Sequence, residues 1–433
     1  MVKRTRGLAA AGMCLMLAGC LGGDGDGVTR LGARPEGAAP DALARAQAQA
    51  QSEIIGDLRA RRTVLADGDP LAEVAGAVMA GYSRSAEADL MSARLRAEAA
   101  SKNWLPRIGP NISLTSLSDV LAQLIVEQVL FDNGRRKAER AFAAADVEVA
   151  AVTLCEEVNN RVATGLGLYL TAEQARERRA LEARTLKDLS HFEWIMEERV
   201  KGGVSDRSDL GVLRTRLAEI REVIAGQAEA ERTALAELGA MAARPMADVR
   251  GTGEIAVEPG AVLALPVLRA RAEAARDVAQ AQVDRGGLLP GVTAGGTVGD
   301  GGDLGINIRS DQLLGLGTGA QLRALEADKD AAARRETQAA EDSARIERRL
   351  AARIEALARQ AGEAERLRDA AEANLDLFQR QYEAGQRQVM DVVGVYETFA
   401  ARQARALALR FEWKHARLDL AAHLGVLAEG SRI

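Results

Sequence analysis

Phe131-Asp132-Asn133-Gly134-Arg135-Arg136 marks the point where the chain changes period. Before it, Leu124, Val126 and Leu130 share one face of a two-residue alternation, while Leu121, Ile125 and Val129 blur the opposite face. After it, 68 residues separate Gly134 from Gly202 without a proline, and 66 separate Gly319 from Gly385 in the same way. At 1.5 Å per residue each run predicts a helix of roughly 100 Å. Polar helices of that length are not stable alone, so they must pack side by side as coiled coils.

The chain repeats itself at an offset of 182 to 185 residues. Leu105-Pro106 ends a helical stretch and opens a strand-like one, and so does Leu289-Pro290. Ile112 and Leu114 alternate with Asn111, Ser113 and Thr115, and Val292, Ala294 and Val298 alternate with Thr293 and Thr297. Leu304, Ile306 and Ile308 alternate with Asn307 and Arg309, and Gly299-Asp300-Gly301-Gly302 reads as the hairpin turn before them. Each half is therefore expected to run helix, two strands, very long helix, turn, helix. Residues 71–240 form the first repeat and 262–426 the second, with 241–261 as an irregular equatorial connector and 427–433 as a tail. The return helices, 206–240 and 389–426, are about half the length of the long ones and need a second piece stacked on each. The expectation is that 241–261 joins one return helix to the lead-in helix 262–286, and that the C-terminal helix abuts residue 71, at the start of the lead-in helix 71–104.

Composition agrees with a mainly α chain. Of 433 residues, 47% are hydrophobic, 27% charged and only 3% aromatic. That profile fits small-residue helical seams and argues against both disorder and a compact core built on aromatics. No stretch beyond the N-terminus has the length and apolarity of a transmembrane helix, so a membrane crossing would have to use strands.

The N-terminus gives the compartment. Lys3, Arg4 and Arg6 precede the apolar stretch 8–18, and Leu17-Ala18-Gly19-Cys20 follows. Residues 1–19 resemble a bacterial lipoprotein signal peptide, which implies lipidation (palmitate) of Cys20, and Leu21 after it implies sorting to the outer membrane. Residues 20–70 are then a lipidated tether and lead-in. Loss of three positive charges with residues 1–19 takes the formal charge from -5 to -8, which disfavours nucleic acid as a partner. Cys14 leaves with the signal and Cys20 carries lipid, so Cys155 has no intrachain disulfide partner and reads as a small buried apolar residue.

These features together resemble the TolC family of outer-membrane efflux and secretion channels over roughly residues 70–426. Phe131-Asp132-Asn133-Gly134-Arg135-Arg136 matches the family's strand-to-helix junction, and Tyr382-Glu383-Ala384-Gly385 leading to Asp391-Val392-Val393 matches its helix-turn-helix tip. The resemblance implies a homotrimer in which each chain gives four strands to a twelve-stranded transmembrane β-barrel and its helices to an α-barrel across the periplasm. A trimer would also pair the edges that four strands leave open. It further implies partners: a periplasmic adaptor protein meeting the tips at Gly203 and Gly385, an inner-membrane transporter, and outer-membrane lipid. Tyr382 and Arg387 match residues that, in the family, bond to those at the positions of Ser208 and Asp209 to hold the periplasmic entrance closed. Asp391 matches a carboxylate ring at the narrow end, and Gly394 departs from the pattern where a second acid can occur. In a second reading the glycines end helices through left-handed turns and the acids are helix N-terminal charges. Both readings stand at this stage.

The implied function is passive efflux of small molecules through a tripartite export system. Two alternatives remain open: the exit duct of type I protein secretion, and a lipid-anchored periplasmic coiled-coil scaffold without a barrel. The latter stands because the strands are aromatic-poor and the Leu314 to Gly319 junction is degenerate. No nucleophile, base and orienting group converge, so no enzyme is expected. Gly315-Leu316-Gly317-Thr318-Gly319-Ala320 superficially fits a dinucleotide loop, but no parallel strand follows it. His191, His415 and His423 lack metal-ligand spacing, and Asp300-Gly301-Gly302-Asp303 and Asp24-Gly25-Asp26-Gly27 lack a calcium ligand set. No cofactor or metal is expected beyond the lipid on Cys20.

Overall fold

A computed structural model describes residues 52–82, 85–116, 119–298, 304–309 and 315–430. The signal segment, Cys20 and the tether to residue 51 lie outside the described residues, as do the hairpin turn 299–302 and Leu314.

Among the described residues, eight helices and four strands follow the duplicated order. They are α1 (Glu53–Ala60), α2 (Pro70–Ala80), α3 (Ser85–Ser101), β1 (Arg107–Ser116), β2 (Asp119–Phe131), α4 (Arg135–Lys201), α5 (Arg207–Met241), α6 (Leu265–Leu288), β3 (Gly291–Val298), β4 (Leu304–Arg309), α7 (Thr318–Glu383) and α8 (Val389–Leu424). The long helices α4 and α7 have 67 and 66 residues.

The junction hexapeptide explains how a strand becomes a 67-residue helix. Asn133 and Gly134 take left-handed conformations, with φ of 53° and 83°, which turn the backbone sharply. Asp132 accepts from the amides of Gly134 (3.1 Å) and Arg136 (2.8 Å), satisfying donors that a helix N-terminus leaves free. Asn133 Nδ2 donates to the Pro290 carbonyl (2.8 Å), fastening this junction to the start of β3 in the other repeat.

The sheet is antiparallel with the order β1-β2-β3-β4. Its register puts Ile108 opposite Val126, Val292 opposite Ile308, Ala294 opposite Ile306 and Gly296 opposite Leu304 on one face. The other face pairs Arg107 with Glu127, Ile125 with Thr297 and Thr293 with Asn307. The blurred face of β2, with Ile125 and Val129, thus falls on the mixed polar side of the sheet, and Leu124 and Val126 fall on the apolar side. Among the described residues the sheet is open, with β1 and β4 as its edges.

Around α4 the helices form a layer. In one direction from the equator α5 packs on α4, α4 on α8 and α8 on α7; in the other, α3 packs on α4, α4 on α6 and α6 on α7. Twenty α4 residues are buried against six of α7, so α4 is central and α7 lies at an edge. Four of those six, Ser343, Leu350, Leu357 and Ala364, recur every seven residues, the spacing of a coiled-coil seam. The equatorial core joins Leu71, Val74 and Val78 of α2, Leu166, Tyr169 and Leu170 of α4, Ile255 of the connector, and Phe411 and Leu424 of α8. Gly165 lets α2 approach closely, since a Cβ there would meet Val78 Cγ2 at 2.6 Å.

Three expectations are corrected. The lead-in stretch 71–104 is broken into α2 and α3 around Gly81, whose added Cβ would lie 2.6 Å from the Met241 carbonyl oxygen; the end of α5 lands there. The stacking partners are therefore exchanged relative to the sequence reading. α5 abuts the start of α3 in its own repeat, and α8 abuts the start of α6, where a Cβ on Gly425 would meet Leu265 Cδ1 at 2.3 Å. The connector loops back across α4 instead of running straight into α6: its Leu65↔Ile255 bridge and the Tyr169 Oη bond to the Gly251 carbonyl (2.8 Å) hold it there.

Candidate functional site

The two helix-turn-helix tips are built alike. At the first, the Gly203 amide donates to the Val200 carbonyl (3.1 Å) and the Val204 amide to the Arg199 carbonyl (2.8 Å), with Gly203 at φ 71°. At the second, Gly385 donates to Tyr382 (2.8 Å) and Gln386 to Gln381 (2.8 Å), with Gly385 at φ 73°. Both are Schellman terminators, in which glycine supplies the left-handed residue that satisfies the last carbonyls of the long helix. Both glycines are exposed.

The next helices start with equivalent caps 182 residues apart. Asp206 caps α5 by accepting from the Ser208 amide (3.0 Å), and that bond holds its carboxyl below the usual carboxylate value. Gln388 and Asp391 form a capping box at α8, in which Asp391 accepts from the Gln388 amide (3.1 Å). Asp391 is exposed at this position, Ser208 is exposed and Asp209 is half-buried.

Within the chain, no hydrogen bond among the described residues joins Tyr382 or Arg387 to Ser208 or Asp209. Arg387, in the turn between the two helices, folds back on α7, with Nε donating to Gln381 Oε1 (3.0 Å) and its guanidinium 4.5 Å from the centre of the Phe378 ring. The Tyr382 ring packs edge-on against Phe192 of α4, centroids 6.1 Å apart, at the border of a core holding Leu189, Met196, Leu213 and Val392. The tip of the second hairpin thus touches the first through an aromatic contact.

The polar ties between the hairpins lie further from the tips. Tyr396 Oη of α8 donates to Asp188 Oδ2 of α4 (2.5 Å), and Arg216 Nε of α5 donates to Glu397 Oε1 of α8 (2.9 Å). Adjacent residues of α8 therefore reach both helices of the first hairpin. Arg410 of α8 also pairs with Glu177 of α4. Burial, then the bond to Asp188, pushes the Tyr396 phenol above its ordinary value. Sequence reading missed Asp188, Tyr396, Arg216 and Glu397, because no motif surrounds them and the partners are 181 and 208 positions apart. Asp206 had a readable signal: an acid three residues before Asp209 at the start of a helix.

At the other end, a cavity of about 770 Å³ on the polar face of the sheet is lined by Arg107, Glu127, Arg136, Glu139 and Thr293, among others. Cys155 is buried, and burial pushes its thiol up to about 12. Among the described residues no group of His, Cys, Asp and Glu could hold a metal ion, and no helix is long and apolar enough to cross a membrane.

No protein-family model and no curated protein matches the sequence. Solved structures do match the fold. The outer membrane protein VceC of Vibrio cholerae aligns with a TM-score of 0.72 at 16% identity, over 82% of this chain and 96% of that one. The open state of the Neisseria gonorrhoeae MtrE outer membrane channel gives 0.70 at 17% identity, over 84% and 91%. The outer-membrane channel OprN gives 0.69 at 18% identity, over 87% and 96%. At these identities the likeness speaks for architecture, and the chain has the fold of the TolC-like outer-membrane channels whose motifs its sequence resembles.

Proposed function

We propose that the chain is one subunit of a homotrimeric channel-tunnel, anchored in the bacterial outer membrane by lipid on Cys20 and extending into the periplasm. It would serve as the passive duct of a tripartite export system for small molecules. The observation that carries this reading is where the edges fall. The sheet ends on β1 and β4, and the helical layer ends on α3 and α5 on the β1 side and on α7 on the β4 side. One chain therefore presents two continuous free margins, which identical copies can close into a barrel and a tunnel without exposing strand edges to lipid.

The faces of the sheet fit that closure. Leu304, Ile306 and Ile308 are 81%, 71% and 74% exposed on the apolar face, which would meet lipid, while Glu127, Thr293 and Asn307 would line the lumen. Trp104 and Phe131, both exposed at the base of the strands, would stand at the membrane boundary. At the far end, Asp391 would supply one carboxylate per chain to a ring favouring cations, and the exposed Gly203 and Gly385 turns would meet an adaptor linked to an inner-membrane transporter.

The test is heat-modifiable trimer migration together with ion conductance in planar bilayers. A trimer that conducts supports the reading. A protein that shows neither is a coiled-coil scaffold.

A further inference from the structure

The two end-to-end helix stacks have no covalent continuity: α5 meets α3 and α8 meets α6 across chain breaks. A helix C-terminus leaves its last carbonyls without partners and carries the negative end of the helix dipole, so each joint is a weak point unless something occupies it. In both joints an arginine does, and in neither case does it come from the helices being joined. Arg161 of α4 places one nitrogen within 2.8 Å of the carbonyl of Met241, the last residue of α5, and within 3.3 Å of that of Gly81, ahead of α3. Its guanidinium also sits 5.2 Å from the centre of the Tyr82 ring. Arg61, with its side chain 2% exposed, donates to the carbonyl of Leu424, the last residue of α8 (2.5 Å), and to that of Leu263, just before α6 (2.6 Å).

The two arginines are 100 positions apart and do not correspond under the internal repeat, so each joint has reached the same arrangement from a different element. The second joint is also sewn by backbone bonds. Val64 donates to Val426 (2.9 Å) and Gly430 to Arg61 (3.1 Å), while Thr63 Oγ1 donates to Leu427 (3.0 Å). At the first joint the corresponding backbone tie is Ala243 to Ala77 (3.0 Å).

We propose that Arg161 and Arg61 are positioning residues that pin the two helix stacks in line by bridging carbonyls on both sides of each break, and that the Arg161 joint is the one that bends when its pin is removed. Arg61 bridges with two nitrogens of its rigid fork, and Arg161 with one, Nη2, whose place is set by the planar guanidinium lying over the Tyr82 ring; a lysine ammonium is a single mobile point with neither the fork nor the planar face, so Arg→Lys keeps the charge and loses the placement. The inference does not depend on the channel reading, since it concerns the folded chain whether or not it conducts.

The test is pulsed-dipolar distance measurement on the full-length protein in detergent, with nitroxides on Glu222→Cys and Arg96→Cys across the first stack and on Arg402→Cys and Gln280→Cys across the second. Both pairs are roughly 50 Å apart at 1.5 Å per helical residue, and Cys155 is too buried to compete for label. Arg161→Lys and Arg161→Met are expected to broaden the first distance distribution about twofold and leave the second unchanged. Arg61→Lys is expected to broaden the second by less. Helical circular dichroism identifies any variant that has not folded, and Tyr82→Phe and Tyr82→Leu then serve at the same joint: the first removes only the hydroxyl's bond to Glu157 and should leave the distribution unchanged, and the second also removes the ring beneath the guanidinium, with a smaller expected broadening than at Arg161. Unchanged distributions in folded variants would overturn the proposal even if melting temperatures fall, as would an Arg161→Lys variant indistinguishable from the parent.

Discussion

Tyr396→Phe removes one hydroxyl from the contact that ties the two hairpins. A hydrogen bond to a charged acceptor contributes about 1.5–3 kcal/mol. Asp188 is exposed, so water re-solvates its carboxylate once the phenol is gone, and we expect a loss of about 1 kcal/mol at pH 7. The sign of the pH dependence is opposite to that of a paired carboxylate. The folded-state pKa of Tyr396 is raised, so its contribution is fully present below the ordinary phenol value near 10 and is lost as pH climbs toward the folded value. Denaturant unfolding followed by helical circular dichroism in detergent, from pH 7 to pH 11, should show a constant gap between parent and variant up to about pH 9 that narrows above about pH 10. If the hairpins must part for the duct to open, about 1 kcal/mol per chain corresponds to a roughly fivefold larger open population, read as conductance. Equal unfolding midpoints at pH 7, or a gap that widens at alkaline pH, would mean that the Tyr396–Asp188 bond does not tie the hairpins.

Other substitutions separate neighbouring claims. Tyr382→Phe should be silent in stability and conductance, because the contact with Phe192 is through the ring, whereas Tyr382→Ala with Arg387→Ala should raise conductance and antibiotic leak; unchanged conductance in that pair would remove the tip from the gate. Gly385→Ala should cost about 1–2 kcal/mol through its left-handed conformation, measured by denaturant midpoint, with no Cβ clash to add to it. Asp132→Ala should cost about 1 kcal/mol by uncapping α4. Ile306→Lys on the apolar face should cost about 2–4 kcal/mol and impair membrane assembly, while Thr293→Lys on the opposite face should assemble normally by outer-membrane fractionation.

Much of this fold could be read locally. The strand-to-helix switch was visible at Asp132-Asn133-Gly134 because a capping acid and two residues tolerant of positive φ must sit side by side there. The ends of α4 and α7 were visible because glycine closes each of them after a proline-free run. The stacking partners were not visible. Nothing in Met241 or Gly81 announces that they touch, since that contact is decided by how α2 packs on α4 through Gly165. The site was legible to the same degree: glycines and caps at the tips follow from helix chemistry, but the tie from Tyr396 to Asp188 depends on the packing of four helices. Arg61 looked like part of a tether and is among the most buried charged groups described.

The seven-residue spacing of Ser343, Leu350, Leu357 and Ala364 has a mechanical corollary. A repeat of 3.5 residues per turn obliges α7 and α8 to wind about each other with a left-handed pitch near 150 Å. Over those 21 residues, about 31 Å of rise, the pair turns through about 75°. Two rods wound in this way behave as a screw: their ends cannot be drawn apart without rotating, and a torque applied at the equator arrives at the tips as a change in width.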